Sequence, residues 1–290
     1  MLTLSQSANV RGNAGEPLPI VWKSLEDKGT RFLRGQLALV AAGPGTGKSA
    51  FVLNYALKSG VSCLYFSADS DAFVQVSRAL SIMGGMTMKD AGDLVLNSET
   101  EKIETILGQS PVRFSYNPSP TLEHIERQVM AYDELYGDFP ELIVVDNALD
   151  VVMDTGEADQ SQSLDSLMAW LHDMARTTEA CVVCLHHVTG PFNDANKPIP
   201  LSGVKGQIGR VPELILTLHK TPGEYGEADE LNVSTVKNRG QRADPSGEDF
   251  VTLTFDGYQM EIKDAEDSTT TDIWSNHRRQ EEEEYDPWSS

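Results

Sequence analysis

Eight consecutive residues, Ala42-Gly43-Pro44-Gly45-Thr46-Gly47-Lys48-Ser49, carry the chemistry that a polyphosphate requires. Glycines let the backbone turn so that successive N–H groups point inward at phosphate oxygens, and a following helix adds the positive end of its dipole. The Lys48 ammonium would reach the β- and γ-phosphates, and the Ser49 hydroxyl would ligate Mg²⁺. The flanks fit: an apolar, strand-like run at 37–41 precedes the glycines and a helix-like run at 50–57 follows them. The usual pattern, G-x-x-x-x-G-K-[ST], opens here with Ala42, a tolerated variant. These residues imply a bound nucleoside triphosphate.

Two further carboxylates stand where such a site needs them. Residues 142–146, Leu-Ile-Val-Val-Asp, form an apolar run ending in an acid. A buried parallel strand of this kind delivers Asp146 beside the phosphate loop, where it would share the Mg²⁺ shell with Ser49. Residues 63–69, Cys-Leu-Tyr-Phe-Ser-Ala-Asp, place Asp69 at a second strand tip, where a carboxylate could orient the water that attacks the γ-phosphate. Asp69 could instead join Asp71 in capping a helix that starts near Ala72. His186 and His187 fall on opposite faces of a strand. His187 is the one placed to reach the γ-phosphate and report its presence, with His186 structural or exposed. Cys181 and Cys184 are also split across two faces, which favours packing over chelation. Asp146, Asp150 and Asp154, taken with the histidines, have the composition of a nuclease metal cluster, but a spacing of four along a strand-to-loop segment does not converge them.

The basic residues are few and local. Residues 189–210 read as a long polar loop rich in Gly, Asn and Pro, carrying Lys197, Lys205, Gly206, Gln207 and Arg210. Its amides and cations could track the phosphates of a single DNA strand, or the loop is a solvated surface segment. Lys237 and Arg239, two apart at the end of a β-run, share one face. They could project into a neighbouring subunit's nucleotide site and neutralise transition-state charge.

The elements that must hold these groups follow from periodicity. Strands are expected at 36–42, 62–67, 112–115, 141–146, 180–187, 214–218, 231–237 and 250–255, with helices at 48–58, 72–83, 122–135 and 163–177. Helices between the early strands predict right-handed crossovers and a largely parallel sheet. The last strands follow one another directly, which predicts an antiparallel edge. Residues 1–20 read as an arm or linker, 21–263 as the α/β domain, and 264–290 as an acidic, disordered tail.

The formal net charge is −21, of which the tail contributes −7 through nine acidic residues against two arginines. No broad basic face is possible, so any DNA contact must be local. The chain lacks an apolar stretch of membrane-spanning length and a signal-like N-terminus, and its three cysteines do not make a disulfide framework. A cytosolic setting follows.

Taken in order, these segments resemble the RecA-like motor domain of the DnaB family of ring helicases, over roughly residues 21–262. Arg34-Gly35-Gln36-Leu37 is similar to the family's entry into the phosphate loop. Phe66-Ser67-Ala68-Asp69 is similar to its F-S-L-E segment, Lys205-Gly206-Gln207-Ile208 to its DNA-binding loop, and Lys237-Asn238-Arg239 to its K-x-R fingers. The resemblance implies a P-loop NTPase that uses ATP and Mg²⁺, with Asp69 as catalytic carboxylate and Asp146 as the second nucleotide-motif aspartate. His187 falls at the γ-phosphate sensor, and Lys237 and Arg239 act in trans. It further implies a hexamer translocating on single-stranded DNA. Asp69 replaces the family's Glu and His187 its Gln, which bears on rate and water geometry. The family's N-terminal primase-binding helical domain has no counterpart in residues 1–20. The compact form is similar to phage and plasmid members, which implies a phage or mobile-element origin and a bacterial host cytoplasm. Two other readings share the core: a RecA-like recombination or strand-annealing ATPase that forms filaments, and a regulatory ATPase that does not bind DNA. The acidic tail, with Tyr285 and Trp288, is either solvating, a DNA mimic, or a docking peptide for a replication protein.

Overall fold

The computed structural model describes residues 1–153, 160–224 and 227–265. Among them, nine strands form one sheet: β1 (Leu37–Ala42), β2 (Cys63–Ser67), β3 (Val112–Ser115), β4 (Leu142–Asp146), β5 (Cys181–His187), β6 (Leu214–Thr221), β7 (Asp229–Asn238), β8 (Phe250–Asp256) and β9 (Glu261–Asp264). Their spatial order is β3-β2-β4-β5-β1-β6-β7-β8-β9. Pairs from β3 through β6 are parallel, and β6 through β9 are antiparallel. The α-helices are α1 (Leu4–Asn9), α2 (Lys23–Asp27), α3 (Lys48–Lys58), α4 (Ala72–Gly84), α5 (Met88–Leu96), α6 (Thr100–Leu107), α7 (Leu122–Tyr136) and α8 (Gln160–Thr178). This is the expected mixed α/β architecture, mostly parallel with an antiparallel C-terminal edge.

The sheet is covered on both faces, which explains why its central strands are apolar runs rather than alternating ones. Ala38, Val40 and Ala42 of β1 pack with Phe51, Leu53 and Ala56 of α3. Leu37, Leu39 and Ala41 pack with Ile125 and Val129 of α7 and Leu167 and Leu171 of α8 on the opposite face. Cys181 belongs to the first core and Cys184 to the second, as the strand period requires. By contrast, β8 buries every second residue, as an antiparallel strand with one solvated face does.

Three features depart from the expected elements. Helices α5 and α6 and strand β9 have no clear signal in the periodicity, because each is short and carries few buried residues. Strand β9 exists because the N-terminal segment receives it: Trp22 Nε1 donates to Ile262 O (3.1 Å), and the Asp264 carboxylate accepts from the Lys23 and Ser24 N–H groups at the start of α2. Residues 189–210 do not form a solvated loop. They wind through 3-10 turns at Gly190–Phe192, Leu201–Gly203 and Lys205–Arg210, and they bury Ile199, Val204 and Ile208 against the sheet. Residues 266–290, with the acidic tail, lie outside the described residues.

Candidate active site

The phosphate loop joins the end of β1 to the start of α3. Gly45 and Gly47 have φ of 72° and 109°, a region that L side chains rarely adopt. Gly43 is required for a different reason. A Cβ there would lie 2.2 Å from the Asn193 carbonyl oxygen, so the segment after β5 crosses directly over the loop. The Thr46 hydroxyl donates to Gly43 O (2.9 Å) and closes the turn. Ala42 is buried at the strand end, Pro44 is exposed, and Lys48 opens the helix with only 7% of its surface accessible.

Asp146 ends β4 and is 2% exposed. In the β2–β4 register Tyr65 faces Val144 and Ser67 faces Asp146. Tyr65 and Asp146 therefore share a face, and the Tyr65 hydroxyl donates to Asp146 Oδ2 (3.1 Å). Burial raises the Asp146 pKa, while the Ser49 hydroxyl, the Lys48 ammonium and the Tyr65 hydroxyl oppose the rise. Asp146 Oδ1 is buried without a hydrogen-bond partner in good geometry. An orphaned carboxylate oxygen beside a serine hydroxyl is a donor set that fits Mg²⁺, a hard cation that takes oxygen ligands. The sequence offers no signal for Tyr65, which reads as an ordinary core aromatic.

Asp69 follows β2 on an exposed turn, and the Ala68 N–H donates to Asp146 O (2.9 Å), which draws the two strand tips together. Capping of α4 is carried by Asp71, whose side chain accepts from the Val74 N–H. Asp69 is left to face the site, and its charge raises the pKa of both Asp146 and Asp150. Spacing alone does not single out Asp150 for this role. It lies beside His187, and its Oδ2 accepts from Asn147 Nδ2 (2.7 Å). No group of three or more His, Cys, Asp or Glu side chains among the described residues forms a metal cluster, and Asp154 lies outside them.

The two histidines part as the strand period predicts. His187 lines a hollow of about 410 Å³ with Pro44, Asn193 and Lys205. Burial, with help from Lys48 and Lys205, lowers its pKa, so it is a neutral imidazole at pH 7. His186 is buried, its Nε2 lies 3.0 Å from Lys205 O, and burial pushes its pKa down to about 4. A folded pKa below the ordinary value of 6.5 means stability that is full above about pH 6.5 and lost as pH falls toward 4. At about 1.4 kcal/mol per pKa unit, this loss is on the order of 3 kcal/mol. Urea unfolding of wild type and His186→Gln from pH 7 to pH 4.5 should show the wild-type chain losing more stability. Parallel curves would contradict the assignment.

The residues expected to contact DNA occupy different settings. Lys205 faces the phosphate-loop hollow, and Lys197 Nζ sits 5.3 Å from the centre of the Phe192 ring. Arg210 pairs with Asp165 (3.1 Å) on the surface. Gly206 has φ of 77°, and a Cβ there would press on Leu164. Gln207 lies in the same 3-10 turn. Lys237 and Arg239 are not near their own phosphate loop. In the sheet register Ala42 pairs with Leu218, whereas Ala38 pairs with Leu214 and Leu214 with Asn238. The two basic residues therefore stand at the end of β1 opposite the loop. There Lys237 Nζ donates to Gly209 O (2.5 Å) and Arg210 O (2.9 Å), and Arg239 Nη2 donates to Arg210 O (2.8 Å).

Comparison with known proteins agrees with this arrangement. The chain is 58% identical over 266 residues to the Gene 65 protein of Mycobacterium phage L5, covering 91% of this chain and 99% of that one. It is 56% identical over 230 residues to the Gene 65 protein of Mycobacterium phage D29, covering 79% and 99%. Among solved structures it is similar to a DnaB-like replicative helicase described with its interactions with primase. That match has a TM-score of 0.73 at 14% identity and covers 91% of this chain but 65% of the other. It is similar also to a second structure, an ATPase domain solved by itself, with TM-score 0.73, 14% identity and coverage of 91% and 96%. At such identity these structures speak to the fold. The sequence profile of the DnaB-like helicase C terminal domain matches residues 18–264, and the chain belongs to that family.

Proposed function

We propose that the chain is an ATP-driven motor that acts as a ring of copies, a hexamer, and translocates on single-stranded DNA in the cytoplasm of a bacterial host. The observation that supports this most is the placement of Lys237 and Arg239 at the opposite end of β1 from the phosphate loop of the same chain. Side chains so placed serve a second copy, with ATP lying between subunits.

In this reading the amides of residues 43–48 hold the phosphates, and Lys48 balances charge on the β- and γ-oxygens. Ser49 and Asp146 hold Mg²⁺, which when bound neutralises charge developing on the transferred phosphoryl group. Asp69 orients the attacking water and His187 donates to the γ-phosphate. Lys237 and Arg239 of the next subunit stabilise the transition state. The Lys205–Arg210 turn, joined at one end to the nucleotide hollow and at the other to the finger pair, moves with DNA through Lys197, Lys205, Gly206, Gln207 and Arg210.

Steady-state ATP hydrolysis with and without single-stranded DNA, on protein whose mass is measured in ATP, tests this. DNA-stimulated turnover by a closed hexamer is expected. Turnover indifferent to DNA would replace the motor with a regulatory ATPase, and open DNA-dependent polymers would replace it with a recombinase. The acidic tail is proposed as a docking peptide for a replication partner. Truncation at Asp264 that leaves partner binding and DNA affinity unchanged removes that role.

A further inference from the structure

Arg239 is half-exposed at a strand end, a position where an arginine ordinarily samples many rotamers. Here it is held from two sides. Its Nη2 donates to Arg210 O (2.8 Å), and its Nη1 donates to Glu213 Oε1 (3.3 Å). Glu213 directly precedes β6, and its side chain is only 12% exposed. The same Oε1 lies 3.0 Å from His172 Nε2 of α8, and Oε2 accepts from the Leu37 N–H (3.0 Å) at the start of β1. Backbone bonds duplicate these links: Glu213 N–H to Leu37 O (2.9 Å) and Arg239 N–H to Glu213 O (3.0 Å). The carboxylate is thus immobile, braced by a helix and by the strand that carries the phosphate loop at its other end.

A guanidinium presents its donors in one rigid plane, so two grips on two of its nitrogens fix the orientation of the whole group. Its exposed remainder is then presented outward without the entropy cost of ordering it at each encounter. Lys237 lies in the same cluster: burial and the Arg239 charge lower its pKa, and Glu213 opposes them.

We propose that Glu213 is the positioning residue for the finger pair, orienting Arg239 toward the nucleotide of the adjacent subunit. This rests on the reading that Lys237 and Arg239 act across a subunit boundary. Glu213 touches no phosphate itself and acts through Arg239, so its loss impairs a site in another chain.

The test is subunit mixing with full-length chains. Glu213→Gln should lower kcat for ATP by about 10-fold to 100-fold with KM changed less than about twofold, the signature of a transition-state interaction lost by misplacement. Lys48→Ala chains have a disabled site but intact fingers. Mixed with Glu213→Gln chains they should restore turnover, because the Glu213→Gln sites then receive a properly held arginine. Arg239→Ala mixed with Lys48→Ala is the control for action in trans. Rescue of Arg239→Ala without rescue of Glu213→Gln would overturn the positioning role while leaving the trans fingers standing. Rescue of neither would remove the trans reading and the proposal together, and a wild-type kcat for Glu213→Gln overturns the proposal alone. If the Gln chain does not fold, Glu213→Asp, which keeps the charge but withdraws the oxygens, should give the same mixing pattern.

Discussion

Lys48→Ala should reduce ATP turnover by about 10²–10³-fold, the cost of removing one preorganised charge from a water-poor phosphate site. The structure gives this lysine little else to do. It opens α3, is 7% exposed, and its ammonium lowers the pKa of Asp146 and of His187. Its removal therefore has a second consequence that reports on geometry. Without the nearby positive charge, the imidazole of His187 should titrate at a higher pH than in the wild-type chain. A turnover assay paired with an NMR titration of His187 reads both effects. Retained hydrolysis, or an unmoved His187 pKa, would mean that Lys48 does not sit where the site requires it.

Asp146→Asn should produce a comparable loss of turnover for a different reason, the loss of a charged oxygen ligand for Mg²⁺. Its effect on stability should run the other way. The Asp146 pKa is raised in the fold, with burial as the largest cause. For a raised pKa, stability from the neutral form is full below the ordinary carboxylate value near 3.8 and is lost as pH rises through the folded value. At pH 7 the wild-type chain therefore carries the cost of a buried charge, and the neutral amide removes it. The Tyr65 hydroxyl still finds an acceptor in the asparagine carbonyl. The thermal midpoint of Asp146→Asn at pH 7 should equal or exceed that of the wild-type chain, and the gap should close below about pH 4. An inactive variant that is also less stable would show that the aspartate supports the fold rather than the metal. Sites that hold charge in poor solvation for the sake of chemistry commonly trade stability for it.

Much of the fold can be read from local pattern. The glycines of 42–49 sit between an apolar strand and a helix, and backbone freedom at Gly45 and Gly47 is a property of the residue type itself. The strands with sharp apolar runs and the helices with a clear 3.6 period lie within a few residues of where periodicity puts them. The exceptions, α5, α6 and β9, carry little buried surface of their own. Strand β9 is held by Trp22 and α2, which are more than two hundred residues away in the chain.

The site divides in the same way. Residue type and period place Asp146 and Asp69 at strand tips and part His186 from His187, because a strand alternates its side chains whatever surrounds it. Other assignments depend on contacts between distant segments. That Asp71 caps α4 and leaves Asp69 facing the site depends on where the turn after β2 runs. That Gly43 must be glycine depends on Asn193 crossing above it. The polar segment 189–210 reads as solvated because its polar residues outnumber its apolar ones, yet Ile199, Val204 and Ile208 fall together on the sheet. Glu213 is the extreme case: a lone acid before an apolar strand has no local signature. Its meaning comes from the register that brings Leu37, His172 and Arg239 to its two oxygens. Local sequence encodes backbone conformation and facing, since both act over a few residues. Which groups meet is set by long-range packing and register, which no short stretch of the chain contains.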